Sequence, residues 1–199
     1  MSTASLKKYS AEMLATFTLT LGVSLSILFE LPVATPVIAG LIVAMFVYTI
    51  GPVSGAHINP CVTFGMLCIK KITPKDSLFY VASQVVGASL AMLTVNTLTG
   101  SVPVAGGADS FVIVLAEAAG AFLLVFAVAS VATGKVGAGA SGAVVGGSLL
   151  MGILIASVVS NGVLNPAVAL GIGSLSLSYI AGPLLGGGLG ALAFRWMTK

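Results

Sequence analysis

The sequence predicts an all-α membrane protein with six transmembrane helices and two re-entrant half-helices. Three observations lead to this fold class. Of the 199 residues, 58% are hydrophobic and 7% are charged, which is too few charges to cover the surface of a soluble domain. Six apolar segments are long enough to span a hydrocarbon core of about 30 Å. Two further apolar segments are shorter, and each follows an Asn-Pro pair.

The long segments assign the whole chain, residues 1–199, to a single transmembrane domain. The predicted spans lie near residues 9–29, 35–53, 77–98, 111–132, 141–159 and 177–197. The shorter segments lie near 59–68 and 165–173. A helix of about ten residues is about 15 Å long, which is half the thickness of the hydrocarbon core. Each short helix is therefore expected to reach only the middle of the membrane.

Both half-helices are predicted to begin in the same way. Asn is a strong N-cap residue, and Pro fits the first helical position because its missing N–H would be unpaired there anyway. One Asn-Pro pair marks an ordinary turn in most proteins, but two at matching places in an apolar chain indicate a repeated functional element. The two motifs read Asn59-Pro60-Cys61 and Asn165-Pro166-Ala167.

The basic residues predict the orientation of the chain. All eight fall on one side of a six-span topology, whereas the opposite loops carry Glu30 and Asp109 and no Lys or Arg. The positive-inside rule then places both termini in the cytoplasm. We expect a multi-pass protein of the plasma membrane. The basic residues are Lys7, Lys8, Lys70, Lys71, Lys75, Lys135, Arg195 and Lys199.

An internal repeat divides the chain into halves of about 1–100 and 108–199. The segment 11–17 matches 116–122, and Glu12 precedes Asn59 by almost the same number of residues as Glu117 precedes Asn165. Each half holds three spans, an odd number, so the halves are expected to have opposite orientations in the membrane. Inverted repeats of this kind place their functional site near the bilayer midplane.

The loops before the two Asn residues are predicted to line a pore, because irregular backbone at membrane depth is tolerated only inside protein or along a watery cavity. Both helix N-termini would carry partial positive charge at the midplane and repel cations. If each Asn oxygen caps its own helix, the NH2 donors remain free to point into the pore. The carbonyls expected along the pore belong to Gly55, Ala56, His57, Ile58, Asn161, Gly162 and Val163.

The paired Asn-Pro helices, the two Ala-Glu segments and the segment around Gln84 together resemble the aquaporin and glycerol-facilitator family, also called major intrinsic proteins. The resemblance covers nearly the whole chain. It implies an aquaporin-like fold and assembly as homotetramers in the lipid bilayer, with one pore per subunit. It also implies passive flow of water or small uncharged solutes, without a cofactor.

The chain departs from the family pattern where selectivity is usually set. Cys61 stands where the family normally has Ala, and Val168 stands where it usually has Arg. Position 169 is Ala rather than the Asp of glycerol facilitators. The resemblance implies a wide, apolar outer constriction that admits glycerol, urea or metalloid acids, or one that dewets and slows water. Matching by distance from the Asn residues assigns this filter to Ala39, Ile153, Gly162 and Val168.

Four residues carry alternative interpretations. Glu12 and Glu117 are ionisable groups in apolar segments, so they either couple proton movement or accept hydrogen bonds from loop N–H groups as structural buried acids. His57 is either a pH gate or a hydrogen-bonded loop support. Cys61 either faces the pore, where it could react with mercurials, or fills space like the Ala it replaces.

The sequence is compatible with three functions. The first is a passive channel for water and small neutral solutes, centred on Asn59 and Asn165. The second is an ion-coupled secondary transporter, since these also use inverted repeats and broken helices. The third is a structural membrane protein with a closed pore. The chain offers no nucleophile–base or metal constellation, so an enzyme is not expected, and its net charge of +3 is too small and too spread out to indicate a nucleic-acid partner.

Overall fold

A computed structural model describes residues 2–199, and all regular structure within them is helical. Six of the helices, α1, α2, α4, α5, α6 and α8, are long and apolar enough to cross a membrane. The other two are the short helices that follow the Asn-Pro pairs. The predicted fold class is therefore confirmed. The eight helices are α1 Thr3–Phe29, α2 Thr35–Ser54, α3 Pro60–Cys68, α4 Pro74–Thr99, α5 Phe111–Ala132, α6 Ala138–Ala156, α7 Pro166–Gly171 and α8 Leu177–Met197.

Two of the long helices differ in their bounds from the predicted spans. Helix α1 begins at Thr3 rather than near residue 9, because Ser2 caps it and its hydroxyl accepts from the Ser5 N–H. Hydrophobicity does not detect this polar first turn. Helix α6 covers Ala138–Ala156 rather than 141–159. Its apolar pattern continues past the end of the helix, because Val158 and Val159 belong to the turn that leads into the second loop.

The two short helices begin as their motifs predict. Asn59 is the N-cap of α3, and its side-chain oxygen accepts from the Cys61 N–H. Asn165 is the N-cap of α7, and its oxygen accepts from the N–H groups of Ala167 and Val168. Helix α7 has 6 residues and a length of about 9 Å, so it is shorter than the predicted segment 165–173.

Each short helix packs on a long helix from the other half of the chain: α3 contacts α8, and α7 contacts α4. Small residues permit the close approach of the long helices. A Cβ added at Gly186 in α8 would collide with the Ala118 carbonyl of α5, and one added at Gly87 in α4 would collide with the Met13 carbonyl of α1. The interlocked halves hold both short helices at the centre of the molecule.

Candidate functional site

The two capping asparagines meet at the centre of the fold. The Nδ2 of Asn59 donates to the Leu164 carbonyl at 2.9 Å, and the Nδ2 of Asn165 donates to the Ile58 carbonyl at 3.1 Å. Each amide thus caps its own helix through oxygen and bonds to the opposite loop through nitrogen. One N–H of each amide is therefore engaged and one remains. The expectation that both N–H groups stay free was wrong.

A cavity of about 60 Å³ lies beside these amides. It is called the lumen below, and both Asn59 and Asn165 line it. Among the described residues that line it there is no Asp, Glu, Lys or Arg. Aliphatic side chains that the sequence did not single out also line the lumen, among them Leu19, Val23, Leu124, Val128, Leu149 and Ile172.

The four positions assigned to the outer filter all lie on this lumen. Ala39 comes from α2, Ile153 from α6, Gly162 from the second loop and Val168 from α7. Each has a small or aliphatic side chain, so none of them offers a hydrogen-bond donor or a charge through its side chain. Ser26 donates to the hydroxyl of Thr35, another lining residue, at 3.0 Å.

The loop residues expected to supply carbonyls divide into two groups. Ala56, His57, Ile58, Gly162 and Val163 line the lumen. Gly55 instead borders a second cavity beside Lys71, and Asn161 borders a surface cavity formed with the loop before α5.

Asn161 was expected to contribute a backbone carbonyl to the pore, but this residue is not among those that line the lumen. Its side-chain amide instead bonds to other loops. Its Nδ2 lies within hydrogen-bond distance of the Ala105 carbonyl at 3.0 Å, the Gly106 carbonyl at 2.7 Å and the Ser174 Oγ at 2.9 Å. It therefore fastens the α4–α5 loop to the second pore loop. The sequence carried no signal for this contact, since the three partners are distant along the chain.

Glu12 holds the first loop in place. Its carboxylate accepts from the N–H groups of His57 at 2.9 Å and Ile58 at 2.6 Å. It also accepts from the Ser54 hydroxyl at 2.7 Å and from the Nε2 of Gln84 at 2.9 Å. The carboxylate thereby gives hydrogen-bond partners to loop N–H groups that would otherwise be buried without any. This agrees with the interpretation of Glu12 as a structural buried acid.

Glu117 does the same for the second loop. It accepts from the N–H groups of Val163 at 3.0 Å and Leu164 at 2.6 Å, and from the Ser160 hydroxyl at 2.8 Å. Both loops contain non-glycine residues with positive φ, including Ile58 at 59° and Leu164 at 55°. Such a conformation is costly for a branched side chain, and the buried carboxylates stabilise it.

His57 is built into a polar cluster beside the first loop. Its Nδ1 lies 3.1 Å from the Thr63 hydroxyl, and its ring packs edge-on against Tyr80 with centroids 5.1 Å apart. The Nε2 of Gln84 also donates to Thr63 at 3.0 Å. These contacts support the loop, while the ring also borders both the lumen and the cavity beside Lys71.

Cys61 does not face the lumen. Its side chain is fully buried, and its Sγ donates to the Leu164 carbonyl at 3.2 Å. The interpretation of a pore-facing thiol open to mercurials is therefore wrong, because α3 turns this position towards the second loop. Space filling is also incomplete as a description, since the thiol has a polar partner.

The comparisons with known proteins agree with this geometry. The family model described as major intrinsic protein matches residues 1–194. The chain belongs to the major intrinsic protein family. Its match extends through both Asn-Pro motifs and both buried glutamates, so the residues that build the lumen lie within the part of the chain that defines the family.

Curated members of the major intrinsic protein family are similar over most of this chain. Aquaporin TIP2-1 of Arabidopsis thaliana is 35% identical, over 97% of this chain and 88% of that protein. Glycerol uptake facilitator protein-like 6 of Lactiplantibacillus plantarum is 31% identical, over 96% of this chain and 98% of that protein. Aquaporin AqpM of Methanothermobacter thermautotrophicus is 27% identical, over 80% of this chain and 74% of that protein.

A solved structure has a similar fold. The aquaglyceroporin from Plasmodium falciparum superposes with a TM-score of 0.69, covering 97% of this chain and 95% of that chain at 20% identity. At this identity the likeness supports the arrangement of helices. It does not extend to the selectivity of this major intrinsic protein, which depends on the residues of its own lumen.

Proposed function

We propose that this protein is a passive transmembrane channel for water and small uncharged solutes. The observation that carries the proposal is the lumen beside Asn59 and Asn165. Polar groups of the two loops and many aliphatic side chains line it, and its described lining residues include no Asp, Glu, Lys or Arg. The similarity to aquaporins and to a glycerol uptake facilitator supports it. We expect no enzymatic activity and no cofactor.

The lining explains why neutral molecules would pass and ions would not. An ion that leaves water for an aliphatic passage loses hydration that the lining has no opposite charge to replace, and this costs several kcal/mol or more. A neutral solute loses only a few hydrogen bonds, which loop carbonyls and the remaining amide N–H groups can replace. The partial positive charges at the N-termini of α3 and α7 add to the barrier against cations.

The filter indicates which neutral solutes are admitted. Ala39 and Gly162 are small, and Val168 occupies the position where the family usually places a bulky Arg. A constriction without that cation has more room and holds no fixed charge. We expect it to pass glycerol, urea or metalloid acids as well as water, with final cation exclusion left to the asparagine pair.

The same proposal includes the assembly and its setting. We propose that the protein forms a homotetramer in the plasma membrane. Both termini of each subunit would lie in the cytoplasm. Support comes from the basic residues, which fall on one side of the six-span topology. The large exposed hydrophobic side chains, such as Leu41, Leu93 and Leu123, offer surfaces to lipid and to neighbouring subunits.

Proteoliposome shrinkage over a series of neutral solutes tests the proposal. We expect rapid water efflux followed by reswelling in glycerol and urea, with rates that rise linearly with solute concentration. Protein-free vesicles provide the baseline, and Leu98→Ala at the end of α4, where the side chain is 71% exposed, provides a matched variant. Passage of water alone would contradict the wide filter. Saturable, gradient-driven uptake would indicate a transporter, and no flux from folded protein would indicate a closed pore.

A further inference from the structure

We propose that the Cys61 thiol is a positioning group that fixes the Asn59 amide through the Leu164 carbonyl, and that the Thr16 hydroxyl is its counterpart at the Ile58 carbonyl. This inference rests on the proposed channel function. It assigns a role to the residue that makes the first Asn-Pro motif of this chain unusual.

The Leu164 carbonyl has two donors. Asn59 Nδ2 lies 2.9 Å from its oxygen and Cys61 Sγ lies 3.2 Å from it. Leu164 is fully buried, so water cannot replace either donor without rearrangement. A carbonyl oxygen accepts two hydrogen bonds, and with both made, its direction is fixed.

The Ile58 carbonyl has the same arrangement in the other half. Its oxygen accepts from Asn165 Nδ2 at 3.1 Å and from the Thr16 hydroxyl at 3.2 Å. The Thr16 proton is shared, since the hydroxyl also lies 2.8 Å from the Glu12 carbonyl. We therefore expect Thr16 to hold its carbonyl less firmly than Cys61 holds the other.

The internal repeat shows that these donors are not duplicated. The position that corresponds to Thr16 in the second half is Ala121, and the position that corresponds to Cys61 is Ala167. Neither alanine has a side-chain donor. The first half of the chain therefore supplies the second donor to both central carbonyls, once from α1 and once from α3.

The consequence concerns the remaining N–H of each amide. While the carbonyl is fixed, the N–H bonded to it is fixed too, and the second N–H of Asn59 keeps one direction relative to the lumen. When the thiol is removed, the carbonyl and the amide can rotate together. We expect the direction of that donor to affect the discrimination between water and protons. The width of the lumen does not depend on the direction of the donor.

Proton flux relative to water flux is the measurement that separates positioning from space filling. In proteoliposomes, we expect Cys61→Ala to raise the ratio of proton to water permeability about two- to tenfold, the range that corresponds to one neutral hydrogen bond. Cys61→Ser retains a donor and should keep the ratio near wild type. Thr16→Ala should raise it less, and Thr16→Ser should not. Cys68→Ala, at the half-helix end away from the amides, is the matched control.

A transplanted donor makes the test stricter. Ala121→Ser places a hydroxyl at the repeat counterpart of Thr16, on the helix that packs beside Leu164. In the Cys61→Ala background we expect this change to return the ratio towards wild type. A ratio that Cys61→Ala leaves unchanged, or that Ala121→Ser fails to lower, would overturn the proposal.

A spectroscopic measurement tests the contact without any flux. In the Cys68→Ala variant, Cys61 is the remaining thiol, and its infrared S–H stretch should lie below that of a free thiol in hydrocarbon because it donates to a carbonyl. A band at the free-thiol position would overturn the inference. Absence of water flux through wild type would instead overturn the proposed function, so the two failures are distinguishable.

Discussion

The side-chain amide of Asn59 donates to the carbonyl oxygen of Leu164 at 2.9 Å, although the two residues lie 105 positions apart in the chain. Leu164 directly precedes Asn165, whose own amide bonds back to the residue before Asn59. Each half of the chain therefore orients the capping residue of the other. Both halves contribute residues to the lining of the lumen. A change to one loop is therefore expected to affect both loops.

The buried glutamates provide the first prediction. Glu117→Gln replaces one acceptor oxygen by an NH2 group, which cannot accept from the Val163 or Leu164 N–H. We expect the free energy of unfolding to fall by about 1–3 kcal/mol, the cost of a buried donor left without a partner. Chemical unfolding of detergent-solubilised protein measures this change.

Glu30→Gln is the matched control for that prediction, because Glu30 is exposed at the end of α1. It should leave unfolding unchanged. Glu12→Gln should cost at least as much as Glu117→Gln, since Glu12 also accepts from Gln84. Equal stability of Glu117→Gln and Glu30→Gln would contradict the structural role of the buried acids.

The contact of α8 with α5 provides the second prediction. Gly186→Ala adds a methyl group against the Ala118 carbonyl, and backbone cannot move aside cheaply. We expect a loss of about 1–3 kcal/mol from overpacking, measured as a lower thermal midpoint. At Gly147 in α6 an added Cβ meets nothing within 4 Å, so Gly147→Ala should show no loss. A tolerated Gly186→Ala would show that the helices are less closely packed than described.

The filter provides the third prediction. Val168→Arg restores a fixed positive charge and a bulky side chain at a position that lines the lumen. We expect glycerol and urea permeability to fall more than tenfold, with a smaller loss of water permeability. Val168→Met adds length without charge and separates the two effects in the same vesicle assay. Unchanged glycerol flux in Val168→Arg would place the constriction elsewhere.

The start of α8 provides a prediction about pH. The Asp109 Oδ1 accepts from the Ser178 N–H at 2.9 Å. This bond, followed by one to the Ser176 hydroxyl, lowers the pKa of Asp109 below its ordinary value. A lowered folded-state pKa gives stability that is present above the unfolded pKa of about 4 and is lost as the pH falls through the folded value.

The difference in thermal midpoint between wild type and Asp109→Asn measures that contribution. It should be constant from pH 7 to about pH 5 and should shrink as the pH falls below the unfolded pKa of about 4 and through the lower folded-state pKa. A difference that persists at the lowest pH would show that the ionised carboxylate is not the group responsible.

The sequence predicted the elements that depend on hydrophobic length and on local capping. Six spans were recognised because an apolar helix must be long enough to cross the hydrocarbon core. The starts of α3 and α7 were recognised because an Asn-Pro pair acts through neighbouring N–H groups. The start of α1 was missed because its first two turns include Lys7 and Lys8, and because the helix begins at a Ser2 cap rather than at an apolar residue.

Contacts between distant segments could not be predicted in the same way. The orientation of Cys61 depends on which face of α3 meets the second loop, and a short apolar helix does not reveal that face. The clamp made by Asn161 requires the α4–α5 loop to fold back over the second loop. The aliphatic residues that line the lumen, such as Leu149, cannot be distinguished in the sequence from residues that face lipid or the core.

The temperature dependence of osmotic water flow through reconstituted protein tests the central claim most directly. A continuous lumen beside Asn59 and Asn165 predicts faster flow than in protein-free vesicles, with a clearly lower activation energy, because water crosses without entering hydrocarbon. A rate and an activation energy equal to those of protein-free vesicles, measured with folded and correctly inserted protein, would contradict the account.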